Sequence, residues 1–589
     1  MKTTTSDQKT DNVDLSDPIL QVDEYSKSQR DVIRVDRECG DEDFEPIKGV
    51  KYTMSITEAL AIASPGNIIQ ITEGNYSESL VVQTPNLTIE TTDEDAKVII
   101  LSGKRPCVTI ALDEEDKVEI NRIRMVYKGP TATSTFIQKI DMNYEKVGNE
   151  RCIKEFKLNE GLPSAIMLLS GSLSLNRCVL SLNGVATNMT EKVPCIAAHE
   201  RTSLSIINCF LFGDPDEEVF TAGLLAIRPF DVIIKDTVVK DHLAGGLMLS
   251  LCPYQDSVFQ ISNNKILKCQ TAGIYIEGPG CTPEIIGNEV KYCNSVGIKI
   301  GDFVKADIRE NQLIQNNDGI EVFNNKSTVI ANEIEKSHGH GLLIHATLKE
   351  GKFNPTVKGN SISNCKFNGI QIQGDGLRVM IHNNTINNNR KCGIKVLDLA
   401  KADIVGKNNI HTNVNQGILI VEGSSCKIME NIISKNLKAN IAFGGKGSHE
   451  TVIERNEICK SIAEGIFMAK AERPTIINEN IITENLDGIT LLDSDGKIMN
   501  NLIEGNQRSG ILCSGKTNAD ISKNNIKSNI LIGIMVKKPS NPKMSFNVLK
   551  DNHYQFSIDD HVLKKTKTYK NSNTVKGQCD IPKKTCTIF

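Results

Sequence analysis

The sequence has no tryptophan, and aromatic residues make up only 5% of its 589 positions. A core built from it must be aliphatic, and the side chain best suited to stacking on sugars is missing. No run of about 18 apolar residues occurs, which excludes a transmembrane helix. Charge of one sign is also lacking. The 68 Lys+Arg against 72 Asp+Glu leave a formal net charge of −4, which argues against a nucleic-acid partner held by bulk charge. The first 30 residues are polar and carry no apolar stretch of the signal-peptide kind. The 17 cysteines never occur as C-x-x-C, so zinc-ribbon and thioredoxin motifs are absent. They read as reduced thiols, and the expected location is cytoplasmic.

What is present is a repeat. A glycine followed by an apolar alternation recurs at Gly223, Gly246, Gly273, Gly297, Gly319, Gly341, Gly369, Gly393, Gly417, Gly465, Gly488, Gly510 and Gly533, with Asn440 in the one gap. From 223 to 533 that is 310 residues in 13 steps, about 24 per step, a solenoid period. A second register, Asn-x-apolar, runs from Asn264 through Asn288, Asn311 and Asn332 to Asn524 and Asn547. From each of these but the last, the next repeat position follows after 8 or 9 residues, whereas the remainder of the coil varies between 13 and 19. One corner is thus rigid, and the other absorbs insertions.

Five residues after each of these Asn stands a third register of small, mostly polar residues: Asn at 316, 389, 413, 436, 485, 506, 529 and 552, with Cys269, Cys293, Cys365, Ser337 and Ser461 between them. Sharp turns are expected here, with Asn in the left-handed conformation. Stacked coils would also let the amides bond one another in ladders. The segments after the glycines, such as Ile274-Tyr275-Ile276 and Ile298-Lys299-Ile300, alternate with period two and predict short strands. Short strands, polar turns and a coil of this length predict an all-β, parallel β-helix of roughly 18 coils. At ~4.8 Å per coil that is a rod of roughly 85 Å. Ser55-Ile56-Thr57-Glu58 is a capping box. It predicts a capping helix near 55–63 over the open first coil.

Residues Ala59 to Glu78, with Pro65-Gly66 and Gly74-Asn75-Tyr76-Ser77-Glu78, together with the Asn-x-Ile…Gly-Ile repeats, resemble the right-handed parallel β-helix repeat superfamily, the pectin-lyase-like fold. That superfamily includes pectate lyases and polygalacturonases, and also intracellular β-helix receptors of F-box ligases and SHC-binding spindle proteins. The resemblance covers roughly 51–563. It implies a right-handed β-helix and leaves the activity open. No F-box pattern stands in residues 1–50.

The early coils are less regular, with candidate turns at Asn121, Asn176, Asn208 and Asp236. The 55 residues from 121 to 176 hold either two coils or one coil and an insertion at 131–163. The insertion is a candidate contact surface.

For catalysis, Ser337-His338-Gly339-His340-Gly341 contains the Gly-His-Gly that resembles a polygalacturonase motif. Asp318 and His340 both stand just before a repeat glycine, so they should stack as a carboxylate beside an acid/base histidine. The rest of that family's pattern is missing: Val296 stands where another aspartate is needed, and no Arg-x-Lys counterpart follows. Glu464 and Asp487 also stack on adjacent coils, as a retaining carboxylate pair or a cation site would. Read as solvated turn positions, neither pair is a catalytic site.

The chain divides into an acidic segment, 1–50, with 13 Asp+Glu and 7 Lys+Arg, the β-helix, 51–563, and a basic tail, 564–589. The tail ends Cys586-Thr587-Ile588-Phe589, a C-a-a-X box that makes Cys586 a lipidation site, with seven lysines upstream. The expectation is a non-catalytic intracellular scaffold that binds protein partners along its sides. It would be tethered to a membrane through the tail or built into the cytoskeleton. Catalytic residues, cofactor, metal and nucleic acid are not expected. The alternative is a carbohydrate-active enzyme.

Overall fold

The computed structural model describes residues 31–103, 105–129, 143–147, 150–155, 164–183, 193–214, 221–251, 257–348, 352–444, 451–471, 475–559 and 572–578. They form an all-β, right-handed solenoid of about 18 turns with one short helix. Each coil contributes one strand to each of three parallel sheets, which hold 21, 20 and 19 strands. Period-two alternation drives this arrangement. In the first sheet Ile234, Ile261, Ile285, Ile308 and Val329 stack in strict register, and all are fully buried. The alternate residues point to solvent. The interior is one continuous aliphatic column.

Amide ladders run along both Asn registers, the Asn-x-apolar one and the one five residues on, where a ladder was expected. In the first, the Nδ2 of each Asn donates to the Oδ1 of the Asn one coil on, at 2.8–3.0 Å, without interruption from Asn264 to Asn573. The same Oδ1 also accepts a main-chain N–H, as Asn456 does from Asn431. Buried corner amides are thereby satisfied.

The turn geometry differs from the expectation in one respect. The left-handed residue is not the ladder Asn but the residue before it, for example Asn263, Ala331, Glu430 and Phe546. The same holds for the second ladder, where Tyr292, Thr412 and Glu484 take positive φ. The chain turns one residue early, so that the next side chain faces inward toward the stack.

In the early coils the ladder position is held by Cys178, Cys209 and Thr237, one or two residues after the turns expected at Asn176, Asn208 and Asp236. Cys209 and Thr237 accept the main-chain N–H that an Asn would have accepted, from Cys178 and Cys209 in turn. Thr237 in turn donates its N–H to Asn264 Oδ1 at 3.0 Å. Asn121 is likewise not a ladder residue. It ends the strand Lys117–Asn121, which pairs directly with Ser172–Asn176. The stretch between them therefore adds one coil plus an insertion. The described part of that insertion is an antiparallel pair, Asn143–Val147 with Glu150–Glu155.

The helix Ile56–Ile62 begins where the capping box placed it. Ser55 Oγ accepts from the Glu58 N–H at 3.1 Å. Glu78, from the Gly-Asn-Tyr-x-Glu phrase, caps the same helix end. Its carboxylate accepts from the N–H groups of Ile56 and Thr57 at 3.2 and 2.8 Å. Ile56 and Ala59 pack onto the open first coil.

The solenoid also exceeds its expected ends. Val32–Val35 pairs with both Lys51–Thr53 and Ile68–Ile71, because its alternation buries Ile33 and Val35. Thr574–Lys576 pairs with Val548–Lys550. Residues 1–30 and the Cys586 box lie outside the described residues.

Candidate functional site

Asp318 and His340 are register neighbours on the outer side of the third sheet, as the spacing implied, but they do not form an acid/base pair. Asp318 Oδ1 accepts from the main-chain N–H of His340 at 2.5 Å. The His340 ring instead lies 5.4 Å from the Phe367 ring, centre to centre, and its Nδ1 is buried without a partner. Burial, with Lys391 and Lys395 nearby, pushes the imidazole pKa down to about 4, so the ring is neutral. Burial also raises the Asp318 carboxyl.

Glu464 and Asp487 are paired in register too. Asp487 is almost fully buried. Its Oδ1 accepts from the Ser509 N–H at 2.9 Å, and Oδ2 accepts from the Arg508 guanidinium.

Both aspartates stand at an irregularity of the repeat. Coils place 9 residues between the ladder Asn and the repeat position, except at Asn311 to Gly319 and Asn480 to Gly488, where there are 8. Asp318 and Asp487 stand in these two short corners. The next coil has the longer corner. The contact is not confined to short corners, since Asn368, just before Gly369, accepts from the Cys392 N–H at 3.0 Å in the same way. Gly339 of the Gly-His-Gly phrase is needed because a Cβ there would collide with Asp318 Oδ1.

The structure brings together a second group that the sequence reading did not single out. The middle residues of successive Gly-Ile-x-Ile strands stack on the outer side of the third sheet: Tyr275, Lys299, Glu321, Leu343, Gln371 and Lys395. Glu321 is 8% exposed although it faces outward. Its Oε1 meets His345 Nε2 at 2.9 Å and Lys299 Nζ at 3.2 Å. Burial pushes its carboxyl up, but the His345 hydrogen bond and the Lys299 charge outweigh that and hold it below its ordinary range. The His345 ring packs at 4.5 Å from Phe323. Reading the variable letter of each Ile-x-Ile as one vertical column would have found this group.

Comparisons with known proteins follow the fold. A model described as "right handed beta helix region" matches residues 250–406 and 351–447. A model for "periplasmic copper-binding protein (NosD)" matches 435–579. Among the described residues no three His, Cys, Asp or Glu side chains converge as a metal centre requires. No curated protein sequence matches. Similar solved structures include a double mutant of the periplasmic alginate epimerase AlgG, at 16% identity and TM-score 0.36, covering 51% of this chain and 85% of that one. Another is the A-module of the Azotobacter vinelandii mannuronan C-5 epimerase AlgE6, at 12% identity and TM-score 0.24, covering 89% and 93%. At these values neither bears on the chemistry of this chain. By fold, the chain is a right-handed β-helix, and a β-helix model matches its central third.

Proposed function

We propose that the chain is a non-catalytic β-helical interaction platform whose partners are proteins lying along its sides. The observation that carries this reading is the bond from the His340 main-chain N–H to Asp318. The carboxylate best placed for acid/base work is committed to holding a turn, and Asp487 is committed in the same way. Hydrolysis of a glycoside needs two available carboxylates. A cytoplasmic setting belongs to this proposal, supported by the free state of the cysteines whose side chains are described.

The test is incubation of the pure chain with polygalacturonate and with alginate. New reducing ends and unsaturated uronates are followed by absorbance, and C5 inversion by NMR. No change in any signal is the expected result. Turnover that disappears in Glu321→Gln or His345→Ala would replace the platform reading with the carbohydrate-active one. The observation favouring that alternative is the ion-paired Glu321 on an outward strand position, since groups held away from their ordinary pKa gather at working sites.

A further inference from the structure

The corner that follows the second ladder carries a basic and apolar surface over five successive coils, four of which hold a cation. Its segments are 364–368, 388–392, 412–416, 435–439 and 460–464. They contain Lys366, Arg390, Lys391, Lys435, Lys438 and Lys460, and a single acid, Glu464. Interleaved with the cations are Phe367, Val414, Leu437 and Ile462, which are 42%, 44%, 47% and 66% exposed. Main-chain bonds stack the segments directly. The Lys391 N–H donates to Phe367 O at 3.2 Å, Asn415 to Lys391 at 3.1 Å, and Lys438 to Asn415 at 3.2 Å. Neighbouring coils stand ~4.8 Å apart, so the surface is roughly 19 Å long.

The cations are not consumed by the described residues. Lys460 reaches Glu484 only at 4.0 Å. Among the described residues none of the other five has a carboxylate within ion-pair distance. Lys391 instead lies 4.5 Å over the face of Phe367. The positive field is felt nearby, since Lys391 is among the charges that hold His340 neutral. Such a surface on a chain of net charge −4 is a local feature and does not reflect overall composition.

We propose that this corner docks an acidic peptide segment of a partner protein, one in which Asp or Glu alternates with aliphatic residues. Charge complementarity selects the acidic groups. The exposed Val414, Leu437 and Ile462 select the aliphatic ones, because a purely ionic ligand such as a nucleic-acid backbone would leave them in water. This inference rests on the platform reading and names the chemistry of its partner.

The test uses the full chain and a fluorescein-labelled peptide of about twelve residues repeating Glu-Glu-Leu, read by fluorescence anisotropy. The expected result is saturable binding that weakens at least tenfold in Arg390→Glu/Lys438→Glu. A similar loss is expected in Leu437→Ser/Ile462→Ser, and none in Lys427→Glu on another face. Unchanged thermal midpoints establish that the variants are folded. The milder pair Arg390→Gln/Val414→Ser replaces any variant that is not. Absent binding, or binding indifferent to both double variants, would overturn the proposal. Equal affinity for an oligo-glutamate of the same charge would also overturn it, as would tighter binding of a single-stranded oligonucleotide. Glycan turnover with peptide binding intact would remove the platform reading alone. Lost peptide binding without turnover would remove only this site.

Discussion

Asn440 stands in for the amide that Ser461 lacks. In neighbouring coils a glycine occupies the position of Asn440, and most second-ladder positions in this half of the chain hold an Asn where Ser461 stands. Asn436 Nδ2 donates to Asn440 Oδ1 at 2.8 Å, and Asn440 Nδ2 donates to Asn485 Oδ1 at 3.1 Å. The ladder thus crosses the serine coil through a residue from the coil before. The small Ser461 leaves the room that Asn440 fills. The break in the glycine repeat and the break in the Asn repeat are one compensated change.

That compensation predicts strong coupling. Asn440→Gly is expected to cost about 2 kcal/mol, since it leaves buried amides short of partners. Ser461→Asn alone should also destabilise, by forcing a second amide into occupied space. The double change restores the regular pattern, and its unfolding midpoint in urea should return close to that of the parent chain. Additive losses would contradict the pairing.

The repeat glycines are required by close approach rather than by backbone conformation. A Cβ on Gly393 would lie 2.6 Å from Ile410 Cγ2, 2.7 Å from Gly417 O and 2.9 Å from Asn413 Nδ2. Gly393→Ala should therefore cost about 3 kcal/mol or prevent folding. Gly359 is the converse case, with φ +67 and no atom nearer to its Cβ than the Ala331 nitrogen at 3.9 Å. Gly359→Ala should cost only about 1 kcal/mol, the strain of the left-handed conformation. Thermal denaturation of the two variants side by side measures the difference.

Thr412 is a β-branched residue at φ 59, a conformation that disfavours any side chain branched at Cβ. Its exposure leaves little packing to lose. Thr412→Gly should raise stability by up to about 1 kcal/mol, as relief of strain exceeds the added freedom of the unfolded chain. A fall in the urea midpoint would contradict this.

His242 occupies a second-ladder position and behaves as an amide substitute. Its Nε2 bonds Leu211 O at 3.1 Å, much as Asn316 Nδ2 bonds Val290 O one coil back. Burial pushes its pKa down from 6.5 to about 4. Below pH 6.5 the unfolded chain therefore takes up a proton that the folded chain refuses. Stability falls as pH drops from 6.5 toward 4, by up to about 3 kcal/mol from this group. His242→Asn should keep the fold and flatten that slope, read as the urea midpoint at pH 4.5 against pH 7.

The sequence by itself determined the coil, the two Asn registers and the capping helix. Each of these is a repeated local pattern or a short phrase, so many coils report the same fact. It also carried the eight-residue spacings at Asp318 and Asp487, although their meaning was not legible. Only the stacked coils show those aspartates as acceptors for the His340 and Ser509 N–H groups. The grouping of Lys299, Glu321 and His345, the basic corner from Lys366 to Lys460 and the exchange between Asn440 and Ser461 were decided in the same way. Each joins residues on stacked coils, and which side chains then touch depends on the length of every turn between them. A periodic sequence fixes the repeat, whereas its irregular coils acquire meaning only against the neighbours on which they are stacked.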